Sequence, residues 1–274
     1  MYLITGSRGQ LGQELTKLLP DAILTDADTL DITDAAAVNA FVREHNIDTI
    51  INCAAYTAVD RAEDDADVAH RVNVIGPENL AKSGARVVHI STDYVFDGTA
   101  HTPYEPSDAP NPVSVYGKTK LAGERAVLDN ARAAVIIRTA WLYSPYGNNF
   151  VKTMRRLGAE KSEINVVCDQ IGTPTCAADL AAAIATILPN MRDGMREIYH
   201  FTDAGVCSWY DFACAIMELS GLKCHVNPIP SSAYPTRATR PFYSVLSKEK
   251  IKHNFPTINI PHWQEALKTC LKQF

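Results

Sequence analysis

The chain has 274 residues, 46% of them hydrophobic and 21% charged, with a net charge of −5. That length allows one large domain, or a main domain with a smaller lobe, around a sizeable core; the acidic balance and the lack of basic runs exclude a general phosphate-backbone binder, so nucleic acid is not an expected partner. No stretch reaches the apolar length of a membrane span, the start "MYLITGSRGQ" lacks the features of a signal peptide, and the seven scattered cysteines form no C-x-x-C and have no histidine at zinc spacing, so the expectations are a cytoplasmic protein without membrane contact, reduced thiols and no metal site.

The first element is the strand "YLIT", which runs into "ITGSRGQLGQEL", where Gly6, Gly9 and Gly12 are spaced G-x-x-G-x-x-G at a strand-to-helix turn. Glycine lets the backbone turn tightly there and lets a pyrophosphate approach the unpaired N–H groups and positive dipole end of the helix. The spacing is a variant of the dinucleotide fingerprint G-x-G-x-x-G, with one more residue between the first two glycines. A second strand, "DAILT", is followed by Asp26, at the position where an acid bonds the adenosine ribose hydroxyls and repels a 2′-phosphate. Arg8, inside the glycine loop, pulls the other way. Together they point to a nicotinamide dinucleotide, NADPH or NADH, with the preference open.

Further along, the helical pattern "DAAAVNAFVREH" and the apolar strands "DTIINCA", "RVVHIST" and "AAVIIRT" continue the alternation. Continuous apolar strands between amphipathic helices predict an α/β fold, a Rossmann-type doubly wound parallel sheet covered on both faces. After "RTAWLYSPYGNNF" the rhythm loosens, and the proline-rich stretches "VNPIPSSAYPTRATRP" and "NFPTINIPHW" predict a smaller C-terminal substrate-binding lobe. The division expected is a dinucleotide-binding domain over 1–142 and a lobe over 143–274, with some later segments returning to the first domain.

Of eleven tyrosines only Tyr116, in "SVYGKTKLAGE", has a lysine four residues on, Lys120. That spacing puts both on one helix face, yet by itself it also fits a surface pair. The fourth strand decides in favour of chemistry, because "HISTDYVFDG" brings Ser91, Thr92 and Asp93 to the carboxyl end of a parallel strand, where catalytic groups gather. Hydride addition to a carbonyl creates an alkoxide that needs a proton. Tyr116 can donate it, Lys120 can stabilise the phenolate left behind and hold the nicotinamide ribose, and the Thr92 hydroxyl can orient the carbonyl oxygen.

The blocks "GQLGQEL", "NCAAYTAVDRAE", "VNVIGPENLA", "STDYVFDG", "VYGKTKLAGE", "RTAWLY", "GNNFVKTM", "DQIGTPT", "SWYDFA" and "YPTRATRP" span essentially the whole chain, which through them resembles the extended short-chain dehydrogenase/reductases. The resemblance implies NAD(P)H-dependent reduction of a sugar carbonyl on a dTDP-sugar substrate, with a homodimer as the candidate assembly. It implies that Gly9, Gln10 and Leu11 cradle the pyrophosphate, that Asp31 and Ile32 flank the adenine, and that Ala55, Tyr56 and Thr57 border the nicotinamide half. Thr92, Tyr116 and Lys120 match the family's catalytic set, Asp93 and Trp141 match positions that hold the sugar, and Asn73 falls where an asparagine supports the site. From its residue type alone, Trp141 reads as core or inter-lobe packing. Two departures stand out: Arg8 is an unusual occupant of the glycine loop, and the helix before "RVVHIST" is about one turn short.

Nucleotide-sugar dehydratases share "STD" but follow it with glutamate where this chain has Tyr94, which disfavours dehydration. Epimerases share the catalytic triad. Against them, "TAVDRAE", "GNNFVKT" and "DQIGTPT" favour the reductase. A second class is the reductase-like regulatory subunit of methionine adenosyltransferase, which would make the chain a binding partner; "GNNFVKT", "DQIGTPT" and "PTRATRP" favour the reductase over it.

Overall fold

A computed structural model describes residues 1–274. Six strands, all parallel, make the central sheet. Five come from the first half: β1 (Tyr2–Thr5), β2 (Ile23–Thr25), β3 (Thr49–Asn52), β4 (Arg86–Thr92) and β5 (Ala133–Thr139), in the order β2-β1-β3-β4-β5. Every residue of β3 and β5 is buried, as expected for strands covered on both faces.

The sixth strand, Arg196–His200, lies beside β5 with Ile198 opposite Ile136. The sequence offered no expectation of it. "REIYH" begins with two charged residues and ends in a histidine, so it lacks the apolar run by which the other strands read, and its pairing with β5 settles the conformation.

Helix α1 (Gln10–Leu18) buries Leu11 and Leu15 against the sheet. Helix α2 (Ala35–Glu44) is started by Asp34, whose carboxylate accepts the N–H groups of Ala36 and Ala37. One core includes Ile4, Ile51, Val88 and Ile137 from the strands together with Leu180, Ile184 and Ile187 from the later helix Ala177–Ile187. A second core is built from residues beyond 142, among them Tyr143, Val151, Phe212, Ile216, Trp263 and Leu267, and it takes in four of the seven unpaired cysteines. No helix is long and apolar enough to cross a membrane.

One buried carboxylate, Asp203, stands out beside the second core. It is fully buried, one oxygen accepts the Cys176 N–H at 2.9 Å, and the other has no partner. Burial, with the Asp179 charge nearby, pushes its carboxyl up to about 9 from 3.8. Between those values the folded state keeps a proton that the unfolded state has lost, so the stability from this group is greatest below the lower value and declines as pH rises to the upper one. Asp203→Asn is therefore expected to melt above the wild type at pH 8, with the gap closing near pH 4; parallel melting curves at both pH values, rather than converging ones, would contradict this.

Candidate active site

The turn after β1 is shaped by its glycines. Gly6 has φ +65°, and a Cβ there would stand 2.8 Å from the Ala54 N atom, so the ends of β1 and β3 can approach only without that side chain. A Cβ on Gly12 would stand 2.6 Å from Ser7 Cα. Gly9 is the N-cap of α1 and supplies no capping side chain, which leaves the N–H groups of Gln10, Leu11 and Gly12 for an outside acceptor. Beside this turn a cavity of about 330 Å³ is lined by Thr5, Gly6, Gly9, Asp26, Asp31, Ile32, Cys53, Ala54 and Ala55 among others. It lies at the point where the strand order reverses around β1, the place where such sheets hold ligands. An uncapped helix end that only glycine permits, next to a cleft with a carboxylate, fits a nicotinamide dinucleotide.

Asp26 and Arg8, which argued for opposite cofactors, are paired. Asp26 Oδ2 accepts from Ser7 Oγ at 2.7 Å and from the Arg8 N–H at 3.0 Å, and it lies 3.2 Å from Arg8 Nε. The Arg8 guanidinium also pairs with Asp28. A guanidinium thus stands beside the carboxylate, and a 2′-phosphate entering here meets a cation as well as an acid. Arg8→Ala is expected to weaken NADPH binding more than NADH binding in fluorescence titrations; equal weakening would remove Arg8 from cofactor choice.

Other cofactor-side positions divide between cavity wall and scaffold. Asp31 accepts from the N–H and hydroxyl of Thr33, both at 2.8 Å, so its carboxylate shapes its own turn, and Ile32 is a buried wall residue whose carbonyl accepts from Asn79. Leu11 is in the core, so only its backbone faces the turn. The Gln10 side chain ties α1 to a later loop, accepting from Asn149 Nδ2 at 2.9 Å. Asn73 sits in a π-helical turn, Arg71–Ile75, and clamps Tyr56: its Oδ1 accepts the Tyr56 N–H at 2.8 Å while its Nδ2 donates to the Tyr56 carbonyl and to Thr119 Oγ1. Ala55 lines the cavity beside Ala54. Thr57 is exposed, and no hydrogen bond holds its side chain.

The helix Val115–Asn130 starts at Ser114, whose hydroxyl accepts the Gly117 N–H. Tyr116 and Lys120 share its inner face and are 9% and 2% exposed. The helix can lie this close because Gly123 stands against the Asn73 carbonyl and Gly117 against that of Tyr94. Thr92 Oγ1 donates to Asp93 Oδ1 at 3.0 Å and accepts the Tyr94 N–H. Burial pushes the Tyr116 phenol well above its usual range, the Thr92 hydroxyl pulls it partly back, and Asp93 and Tyr94 add to the rise. Burial likewise pushes Asp93 up to about 6 against the pull of the Ser244 and Thr92 hydroxyls, and pushes Lys120 down to about 8. Lys120 Nζ donates to the Ile90 carbonyl at 2.6 Å; no hydrogen bond joins it to Tyr116.

Trp141 adopts φ +50° just beyond β5 and stacks on Trp209, ring centroids 3.6 Å apart and 11° from parallel. A Cβ on Gly172 would fall 2.7 Å from Trp141 Cε2 and 3.0 Å from Ser244 Oγ. Since the Ser244 hydroxyl also lies near enough to Asp93 to draw its carboxyl down, Asp93 and Trp141 belong to one neighbourhood.

Sequence reasoning missed three participants here: Trp209, Tyr94 as a packing partner, and Arg240. Tyr94 meets the Tyr116 ring edge-on at 5.5 Å, and Arg240 donates to the Tyr94 hydroxyl at 2.9 Å and to Asp60 at 2.6 Å. Partners this far apart in sequence leave no local pattern to find.

A family model described as RmlD substrate binding domain matches residues 1–274. The chain belongs to that family. It is 42% identical over 285 residues to the dTDP-4-dehydrorhamnose reductase of Aggregatibacter actinomycetemcomitans, covering 97% of this chain and 96% of the relative. Among solved structures, the dTDP-4-dehydrorhamnose reductase of Clostridium acetobutylicum is 45% identical with a TM-score of 0.94, covering 99% of this chain and 98% of that one. The Bacillus anthracis enzyme, in complex with NADP, is 40% identical with a TM-score of 0.95, covering 100% and 99%. The family assignment and the six-stranded sheet agree with the fold and the extended reductase resemblance read from the sequence.

Proposed function

We propose that the protein reduces the C4 carbonyl of dTDP-4-dehydro-L-rhamnose to give dTDP-L-rhamnose, using NADPH or NADH. The observation that carries the chemistry is the buried phenol of Tyr116 beside Thr92, at the same edge of the sheet as the glycine turn. Burial keeps this phenol protonated, which is the form a reductase needs in its acid.

The cofactor, when bound, supplies a hydride to the carbonyl carbon. The chain's own groups handle the oxygen. The Thr92 hydroxyl, which donates to Asp93, turns to the carbonyl oxygen and orients it; Tyr116 transfers its proton to that oxygen as it gains charge, and the Lys120 ammonium stabilises the phenolate that remains. Gly6, Gly9 and Gly12, with the N–H groups of Gln10 and Leu11, hold the pyrophosphate, while Asp26, Asp31 and Ile32 face the adenosine. Asn73 keeps Tyr56 and its neighbours Ala55 and Thr57 in place beside the nicotinamide. Asp93 and Trp141 hold the sugar, with residues 143–274 forming most of its lobe and 1–142 the cofactor domain. As a reductase of a nucleotide sugar, the protein works in the cytoplasm.

The direct test mixes purified protein, reduced cofactor and dTDP-4-dehydro-L-rhamnose and follows nicotinamide absorbance. Stoichiometric oxidation is expected. Protein that binds the cofactor but oxidises none of it would point instead to a non-catalytic partner role.

A further inference from the structure

Behind Lys120 lies a buried pair that the reaction as described does not use. His89, on β4 and 0% exposed, has its Nδ1 3.0 Å from Asn52 Nδ2 and its Nε2 3.4 Å from Lys120 Nζ. The orientation of the Asn52 amide is forced. Its Oδ1 takes the Ala54 N–H at 3.2 Å and the Thr5 hydroxyl at 2.7 Å, and a backbone N–H can only donate. Asn52 Nδ2 therefore donates to His89 Nδ1, which must be the bare nitrogen, and the single proton of the neutral ring sits on Nε2, facing the lysine.

We infer that His89 is a positioning residue for Lys120: locked by Asn52 with its proton on Nε2, it offers the amine no acceptor on the inner side. One amine hydrogen goes to the Ile90 carbonyl, and the others are directed outward to the cleft, where a ribose hydroxyl or a phenolate can accept them. Burial and the nearby Lys120 charge hold His89 well below the usual histidine range, which keeps the ring neutral.

Other groups around the amine leave this task to His89. Cys53, from the end of β3, is pushed up to about 12 by burial and stays a neutral thiol. Glu124, one turn further along the helix, accepts two bonds from Arg138, at 2.9 and 2.7 Å, and one from Ser91 at 2.5 Å. Tyr116, one turn back, is itself protonated.

The inference rests on the reductase reading for its kinetic arm and stands apart from it in the other. In the ¹⁵N-histidine-labelled protein without substrate, long-range ¹H–¹⁵N spectra from pH 6 to 9 are expected to show a neutral His89 ring with its proton on Nε2. The signal is assigned by its loss in His89→Asn, which keeps an acceptor for Asn52. In His89→Gln, the side-chain oxygen reaches the place of Nε2 and accepts from Lys120, drawing the amine inward. The basic limb of the pH–rate profile should then move to higher pH and the KM for the cofactor should rise severalfold. A proton on Nδ1, a doubly protonated ring, or a folded His89→Gln enzyme with unmoved limb and KM would each overturn the proposal. If the glutamine variant does not fold, the tautomer alone decides. A lack of sugar reduction by the wild type would fail the reductase reading and leave the tautomer result intact.

Discussion

Tyr116→Phe is expected to lower kcat by a factor of about 10²–10⁴, the usual cost of losing a general acid, while the Kd for NADPH stays nearly unchanged. The substitution removes one oxygen and keeps the ring, so the packing of Tyr116 with Ala62, Ala69 and the edge of Tyr94 survives. What disappears is the only phenol that lies against Thr92 on this helix face. A loss in kcat with KM nearly constant identifies an interaction made in the transition state and not in the bound ground state. Undiminished turnover would take Tyr116 out of the mechanism, and an equal fall in cofactor affinity would mean that the ring had moved.

Lys120→Ala is expected to do more. The amine is buried near Cys53, which lines the cofactor cleft, and one helical turn from the acid, so its removal is expected to lower kcat and raise the cofactor Kd together, whereas loss of the phenol affects rate alone. The wild-type pH profile carries the same information. Burial lowers Lys120 to about 8, so in the free protein the ammonium is present below that value and lost above it. Support for a phenolate weakens in that order, and kcat/KM is expected to fall as pH rises through about 8. In Lys120→Ala that descending limb should vanish; if it persists, another group titrates there. Nucleotide titration and steady-state kinetics on one preparation separate the two effects.

Much of this was legible in the sequence, and for identifiable reasons. β1, β4 and β5 show as continuous apolar runs because both their faces are covered, and α1 and α2 show because their buried residues recur at helical spacing. The glycine turn was readable because no other residue fits where a Cβ at position 6 or 12 would strike backbone. Tyr116 and Lys120 could be paired because four residues is one helical turn. The rest depended on contacts with no local trace. The strand Arg196–His200 is fixed by β5, more than fifty residues earlier. Arg8 and Asp26 looked like opposing cofactor signals until their ion pair placed them side by side. Trp141 read as packing from its residue type, and the stacked Trp209 that accompanies it comes from a helix 68 positions later, so neither residue alone predicts the pair. The direction of the Lys120 amine is set by the Ile90 carbonyl and His89, and spacing along one helix carries no information about either.

In the proposed reaction a hydride reaches C4 of a dTDP-linked hexose while Tyr116 protonates the oxygen on the same carbon. The most direct measurement follows the hydride itself: the protein is incubated with NADPH deuterated at the transferable position of its nicotinamide C4 and with dTDP-4-dehydro-L-rhamnose, and the product is read by NMR. Deuterium at C4 of the rhamnosyl ring, one per cofactor oxidised, is the predicted result. A product carrying deuterium at another carbon, or oxidised cofactor with no label in the sugar, would contradict it.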